Sequence, residues 1–187
     1  GGEIAVTFAT GMAAISAAIC SMVSNGNQIV AHRILYGCTH SLLTNWVPHY
    51  GVHTDFCDMT KPESILKSAT ADCRVVYFET PVNPTMELID ITEVRRVVNE
   101  LNKDRKEEEK IKIIVDNTFA SPYCQRPLEL GADVVVQSLT KAIGGFGTDM
   151  GGALVGANRY YQKWMLYRKD FGGVLSPKAA WPILVYG

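Results

Sequence analysis

Short runs of β-branched and apolar residues alternate along the chain with longer stretches in which apolar residues recur at helical spacing. Five runs predict strands, at residues 28–31, 52–56, 74–79, 111–116 and 133–137. Two of these runs are apolar at consecutive positions, 75–78 and 113–115, which is typical of strands covered on both faces of a parallel sheet. Helical spacing predicts helices over 11–23, 39–49, 91–110, 157–169 and 177–186. The last of these would begin with Ser176 as N-cap and Pro177 at the first helical position.

Strands that alternate with helices favour an α/β fold of three layers, α/β/α, around a mostly parallel sheet. Ligands of such folds bind at the carboxyl ends of the strands. The apolar runs at 4–8 and 181–186 lie at the two ends of the chain, where complete domains usually have polar tails. We therefore expect that part of the functional unit lies outside these 187 residues.

Composition excludes several classes of function. Lys and Arg total 18 against 19 for Asp and Glu, so the net charge of -1 leaves no basic surplus for binding nucleic acid. No apolar run approaches the roughly 20 residues that cross a bilayer, and the first residues do not resemble a signal peptide. The chain is therefore expected to be cytoplasmic, without a membrane partner.

Neither the cysteines nor the histidines predict a metal site. The five cysteines are scattered, contain no C-x-x-C pair and are expected to be reduced thiols. His49 and His53 have a spacing that zinc sites use, but Tyr50 and Gly51 between them interrupt the helix that would align them.

Polar residues that follow three of the predicted strands are the candidates for chemistry. Asp116 follows one strand, Lys141 follows the next, and Asn83 follows a third. A lysine behind an apolar strand can be partly desolvated, as a Schiff-base lysine requires, and Asp116 could pair with a protonated pyridine nitrogen. Ser138 and Thr140 could hydrogen-bond a phosphate.

A second candidate region lies near the start of the chain. Thr10, Gly11 and Met12 open the first predicted helix, whose free N–H groups would suit a phosphate. Tyr36 lies in the next loop, where its ring could stack on a flat cofactor. Each residue taken alone has an ordinary structural interpretation, since most lysines are exposed and Asp-Asn-Thr is an acceptable turn. Their joint order favours a single cofactor site.

Four motifs together resemble the cystathionine-type (Cys/Met metabolism) family of fold-type I pyridoxal 5'-phosphate (PLP) enzymes. They are Tyr36-Gly37-Cys38-Thr39, the segment Phe78 to Pro84, Asp116-Asn117-Thr118, and Ser138-x-Thr140-Lys141. The resemblance implies the large PLP-binding domain of the aspartate aminotransferase-like fold over residues 1–187. An N-terminal arm, which gives a Tyr and an Arg to a neighbouring subunit, and a C-terminal small domain would lie outside the chain. It also implies a homotetramer built from active-site dimers.

The same resemblance implies roles for individual residues. Lys141 would carry PLP and move protons, Tyr36 would stack on the ring and act as acid, and Asp116 would pair with the ring nitrogen. We expect the pKa of Tyr36 to be lowered near the charges of the cofactor. The remaining cofactor-binding residues would be Gly11, Met12, Asn83, Thr118, Ser138 and Thr140.

The identity of the substrate depends on weaker signals. Cys38, together with Lys169 and Asp170 ahead of residues 173–177, resembles the methionine gamma-lyase branch, which cleaves L-methionine by α,γ-elimination. The glycine-rich segment 144–148 instead resembles the O-acetylhomoserine sulfhydrylases, and Phe146 replaces a histidine common in both groups. Cystathionine lyase or synthase activity, and a non-catalytic subunit with a PLP fold, also stay open. Cys38 could equally be an ordinary small apolar residue, and Lys169 and Asp170 a surface pair.

Overall fold

A computed structural model describes all of residues 1–187 and contains one seven-stranded sheet. The strands are β1 (Ile4–Phe8), β2 (Gln28–His32), β3 (His53–Cys57), β4 (Cys73–Glu79), β5 (Lys112–Asp116), β6 (Val134–Ser138) and β7 (Gly152–Gly156). Their order across the sheet is β1-β7-β6-β5-β4-β2-β3. β2 to β6 pair in parallel, while β7 runs antiparallel to both β6 and β1.

Seven α-helices accompany the sheet. They are α1 (Gly11–Cys20), α2 (Gly37–Ser41), α3 (Ser64–Ser68), α4 (Ile91–Leu101), α5 (Ser121–Cys124), α6 (Tyr161–Asp170) and α7 (Pro177–Tyr186). A π-helical turn at Leu42–Trp46 and 3-10 turns at Val47–Tyr50, Glu107–Glu109, Ala142–Gly144 and Asn158–Tyr160 complete the elements. None of the helices combines the length and the apolar composition that a membrane span requires.

Two separate hydrophobic cores cover the two faces of the sheet, which confirms the predicted three-layer α/β/α arrangement. One core joins α1, Leu43, Val47 and Trp164 of α6 to the face of β4 that carries Val75 and Tyr77. The other joins α3 and α4 to the opposite face. The consecutive apolar residues of β4 and β5 are buried because each strand contributes to both cores.

The five predicted strands are present within two residues of their expected bounds, but β1 and β7 were not predicted. β7 reads Gly-Ala-Leu-Val-Gly, a composition that resembles a loop. Its first residue packs against the start of α1, where a Cβ on Gly152 would lie 2.2 Å from the carbonyl oxygen of Thr10. A glycine is therefore required in this strand by a contact that is distant in sequence.

Four helix predictions need correction. The helix predicted over 11–23 ends at Cys20, and the one predicted over 157–169 begins at Tyr161 after a 3-10 turn. The helix predicted over 39–49 begins at Gly37 and passes through π and 3-10 turns to Tyr50, with Pro48, which has no N–H, in its last turn. The helix predicted over 91–110 ends at Leu101, because the side chain of Asn102 pairs with the backbone N–H and carbonyl of Ile111 at 2.9 and 3.1 Å. The short helices α3 and α5 were missed. The Ser176 cap of α7 is confirmed, since its side chain accepts from the N–H of Ala179.

Candidate active site

A cavity of about 500 Å³ lies at the carboxyl ends of the parallel strands. Its lining includes all nine residues that were expected to bind the cofactor: Gly11, Met12, Tyr36, Asn83, Asp116, Thr118, Ser138, Thr140 and Lys141. The side chains from the ends of three strands thus meet around one space large enough for a small organic cofactor. Cys38, Lys169 and Asp170 do not line the cavity.

One end of the cavity is formed by the first turn of α1. Thr10 is the N-cap, and its side chain accepts from the N–H of Ala13 at 3.0 Å. The N–H groups of Gly11 and Met12 lie in the first turn and have no acceptor within the helix. A Cβ on Gly11 would come within 3.1 Å of the Ser138 side chain, so the glycine keeps α1 close to the end of β6. These features suit an anionic group such as a phosphate.

Two threonines join the loops around this end. The Thr118 hydroxyl accepts from the backbone N–H of Ser138 at 2.9 Å and so ties the loop after β5 to β6. The Thr140 hydroxyl donates to the carbonyl of Gly151 at 3.3 Å and accepts from the N–H of Gly151 at 3.1 Å. Thr140 therefore already has a structural role, and a phosphate would have to compete with Gly151 for its proton.

Asp116 is a buried carboxylate without a cationic partner. Its Oδ1 accepts from the N–H of Thr118 at 2.9 Å, and no Lys, Arg or His forms an ion pair with it. Burial raises the pKa of Asp116, and the hydrogen bonds from Thr118 oppose that rise. A buried carboxylate of this kind is stabilised when a ligand brings a positive charge to it.

Lys141 lies three residues after the end of β6, and its side chain is exposed at the cavity. Its amino group makes no hydrogen bond or ion pair within the chain, so it is free to react. The partial burial expected from the sequence is absent. Leu139 is buried, whereas Lys141 and Ala142 are exposed, and Phe146 in the glycine-rich turn that follows packs against Tyr186.

Tyr36 lies at the mouth of the cavity with 44% of its surface exposed. Its Oη is hydrogen-bonded to the exposed thiol of Cys38, with 3.5 Å between oxygen and sulfur. The pKa of Tyr36 is raised, first by this hydrogen bond and then by the charge of Cys38. The expected lowering is thus not found in the chain by itself, because its own groups bring no positive charge to the ring.

Asn83 lies in the loop after β4, whose Thr80–Pro81 and Asn83–Pro84 bonds are cis. Its side-chain amide makes no hydrogen bond within the chain and is therefore available to a ligand. Its backbone N–H donates to Oε2 of Glu79 at 3.3 Å.

Sequence reasoning missed several residues of the cavity, namely Ile15, Glu79, Pro81, Phe119 and Met150. Glu79 is the most notable because it is a carboxylate with only 5% of its surface exposed. Burial raises its pKa to about 7, and the neighbouring Asp116 adds to the rise. No signal in the sequence identifies it, because both faces of β4 are buried and a glutamate at the end of a strand is usually exposed.

The other candidates lie outside the cavity. Lys169 and Asp170 form an exposed ion pair at 3.3 Å, a kind of contact that contributes little to stability. All five cysteines are free thiols, and no group of three or more His, Cys, Asp or Glu side chains is arranged to hold a metal ion.

Comparisons with known proteins agree on one family. Residues 1–185 match the family described as "Cys/Met metabolism PLP-dependent enzyme". The L-methionine gamma-lyase of Porphyromonas gingivalis is 40% identical over 185 residues, and the cystathionine gamma-lyase of Bacillus subtilis is 33% identical over 184 residues. Each alignment covers 98% of this chain.

A solved structure shows the same fold. The crystal structure of metB from Corynebacterium glutamicum superimposes with a TM-score of 0.90 at 29% identity and covers 98% of this chain. The chain spans less than half the length of these proteins: 45% of the P. gingivalis enzyme, 46% of the B. subtilis enzyme and 46% of metB.

Proposed function

This chain belongs to the Cys/Met metabolism family of PLP-dependent enzymes, and from that premise we propose that it is the cofactor-binding domain of a carbon–sulfur lyase acting on L-methionine. The reaction would convert L-methionine and water to methanethiol, 2-oxobutanoate and ammonia. The observation that carries the proposal is that one cavity contains both the free amine of Lys141 and the buried carboxylate of Asp116, which has no cationic partner.

The residues present fit PLP. The cavity has an anion-binding helix end at Gly11 and Met12 for the phosphate. Asp116 offers a negative charge that no group of the chain neutralises, as a protonated pyridine nitrogen would require. Lys141 would hold the cofactor through its amine, Tyr36 would stack on the ring, and Asn83 would donate to the ring hydroxyl.

PLP, when bound, withdraws electrons from the substrate carbon atoms that lose protons. Lys141 Nζ, released by the incoming amino group of the substrate, would take the proton from the substrate α-carbon. Once that proton has been passed on, it would take the proton from the β-carbon, and the electron pair left there forms the new double bond as the γ-carbon–sulfur bond breaks. Asp116 would keep the ring nitrogen protonated throughout. Tyr36 would give its Oη proton to the sulfur as the carbon–sulfur bond breaks, so that methanethiol leaves as a neutral thiol. Cys38, whose thiol is hydrogen-bonded to that hydroxyl, would influence substrate preference through Tyr36.

A substrate comparison on the full-length protein tests the proposal. We expect methanethiol from L-methionine at a higher kcat/KM than turnover of cystathionine, or of O-acetylhomoserine with sulfide. No methanethiol from methionine would overturn the assignment. The same measurements on Cys38→Gly test the role of Cys38, and an unchanged ratio of methionine to cystathionine turnover would remove it from the mechanism.

A cystathionine lyase or synthase is the second candidate, favoured by the 33% identity to the B. subtilis cystathionine gamma-lyase. Preferential turnover of cystathionine would establish a cystathionine lyase in place of the methionine enzyme. Formation of cystathionine from an activated homoserine and cysteine would establish a synthase. A full-length protein that binds no PLP, and so shows no cofactor absorption near the visible range, would instead be the non-catalytic subunit.

A further inference from the structure

Glu79 divides its two carboxylate oxygens between two loops of the cavity. It is the last residue of β4 and is almost fully buried. Its Oε1 accepts from the backbone N–H of Tyr36 at 2.8 Å, and its Oε2 accepts from the backbone N–H of Asn83 at 3.3 Å. One side chain therefore connects the loop that carries the aromatic ring to the loop that carries the amide.

Apart from Glu79, Tyr36 is hydrogen-bonded only to Cys38 and His40, and Asn83 to no other residue. The Tyr36 ring is 44% exposed, so packing does not determine where it lies. The carbonyl of Tyr36 accepts from the N–H of His40, a bond within its own segment. The Asn83 loop is closed by bonds between Val82, Met86 and Glu87, and Gln125 and Arg33 contact its two ends, but none of these bonds reaches Asn83 itself. The bonds to Glu79 join both loops to the sheet, because Glu79 is itself part of β4.

The chemistry of the position favours a carboxylate over any other side chain. Two backbone N–H donors converge on it, and an ionised carboxylate is the side chain that presents two acceptor oxygens and no donor. A glutamine would direct its NH₂ group at one of the two N–H donors and lose that bond. An apolar residue would leave both N–H groups without a partner at a buried site, which is costly.

The arrangement also has an evident electrostatic cost. Glu79 has no cationic partner and lies directly opposite Asp116 in the β4–β5 register. Burial and Asp116 raise its pKa to about 7, while the N–H groups of Tyr36 and Asn83 oppose the rise. A residue needed only to fill space would not require a second buried carboxylate beside Asp116.

We propose that Glu79 is a positioning residue that holds Tyr36 and Asn83 on two sides of the cofactor cavity. It acts through the backbone of those two residues, and Tyr36 and Asn83 make the contacts with the cofactor. The inference rests on the proposed function in so far as the cavity binds PLP. The hydrogen bonds themselves do not depend on any ligand.

The test compares Glu79→Gln and Glu79→Ala with Asp133→Asn in the full-length protein. Asp133 is a matched control because it is also a largely buried carboxylate that accepts a backbone N–H, that of Ile113 at 2.8 Å. It precedes β6 at the opposite end of the sheet and does not line the cavity. Hydrogen–deuterium exchange by mass spectrometry is measured on cofactor-free protein, and the Kd for PLP by titration.

We expect Glu79→Gln to speed exchange about tenfold in the peptide with Asn83 and to raise the Kd for PLP about tenfold, the effect of one lost hydrogen bond. Glu79→Ala should speed exchange in the Tyr36 peptide as well. Asp133→Asn should change neither the exchange rate of these two peptides nor the Kd for PLP, even if it lowers the Tm as much as the Glu79 variants do.

The proposal would be overturned if the peptides that contain Tyr36 and Asn83 exchanged at the wild-type rate in Glu79→Ala. A raised Kd with unchanged exchange would also overturn it, since Glu79 would then act by touching the cofactor itself. If the wild-type protein binds no PLP, the proposed function fails, and the exchange data still decide whether Glu79 holds the two loops.

Discussion

At the residue scale, the cavity combines two buried carboxylates with one exposed amine. Glu79 and Asp116 lie opposite each other on β4 and β5, and burial raises the pKa of both. The Lys141 side chain is exposed, and its amine has no hydrogen-bond or ion-pair partner within the chain. Removing the carboxylates should therefore affect stability and its dependence on pH, whereas removing the amine should affect only chemistry.

Lys141→Ala is expected to abolish turnover and the absorption of the bound cofactor. The free energy of unfolding of the cofactor-free protein should stay within about 0.5 kcal/mol of the wild type, because an exposed side chain without partners is removed. Urea unfolding and a methanethiol assay check the two statements. Lys169→Ala, at another exposed lysine, is the control that should keep activity, and normal turnover by Lys141→Ala would contradict the mechanism.

Stability of the cofactor-free protein should respond to the protonation of Glu79. Its pKa rises from an ordinary 4.5 to about 7 on folding, so between these pH values the folded state binds more protons than the unfolded state. Stability from this group is therefore greatest below pH 4.5 and is lost as the pH rises to about 7. The loss amounts to at most about 3 kcal/mol at 1.36 kcal/mol per unit.

Urea unfolding of the wild type and of Glu79→Gln at pH 5 and pH 8 measures this contribution. The variant should gain stability relative to the wild type at the higher pH, since its amide does not ionise. His32, whose pKa also shifts, is common to both proteins and cancels in the comparison. Asp116 does not cancel, because it interacts with Glu79, so the difference measures the two carboxylates together. A difference in stability that is the same at both pH values would contradict the assignment.

At the element scale, the position of α1 depends on a glycine in a neighbouring strand. Gly152 begins β7, and its Cα faces the carbonyl oxygen of Thr10 at the N-cap of α1. The contact places the first turn of α1, with Gly11 and Met12, at the end of β6. Neither the sequence of α1 nor that of β7 indicates this contact.

Gly152→Ala should destabilise the protein by about 1–3 kcal/mol, the usual cost of inserting a methyl group into a filled space. It should also weaken PLP binding, because the Cβ would lie 2.2 Å from Thr10 O and force the start of α1 to move. Thermal unfolding and PLP titration measure the two effects. Gly37→Ala is the matched control, since a Cβ there meets nothing within 4 Å, and equal stability of the two variants would refute the explanation.

At the scale of the whole molecule, the cavity is open. Tyr36 and Lys141 are both exposed, although reactions of this kind are usually carried out in sites that exclude water. The chain spans less than half the length of the relatives reported above. We propose that the remainder of the protein and a neighbouring subunit close the site, in a homotetramer of active-site dimers.

Sedimentation of the full-length protein tests that assembly. We expect a species of four chains that persists on dilution to the concentration of the activity assay, together with a lower Kd for PLP than that of residues 1–187 alone. A monomer with full activity would show that one chain suffices to close the cavity.

The sequence by itself determined the class of fold and most of the cavity. Consecutive apolar residues in β4 and β5 require cover on both faces, and parallel strands bring their carboxyl ends to one edge, so Asn83, Asp116 and Lys141 could be placed together without coordinates. Local signals also determined the Ser176 cap and the start of the first helix at Thr10-Gly11-Met12, because a helix start depends on residues within one turn.

Tertiary structure decided the features that depend on contacts between distant residues. β7 is a strand because β1 and β6 pair with it, and Gly152 is needed because α1 lies against it. The helix after Ile91 stops at Leu101 because Asn102 bonds to Ile111. Glu79 could be read as an ordinary exposed glutamate until the fold buried it between the N–H groups of Tyr36 and Asn83. Burial and hydrogen-bond partners are set by neighbours in space, and a linear pattern contains only neighbours in sequence.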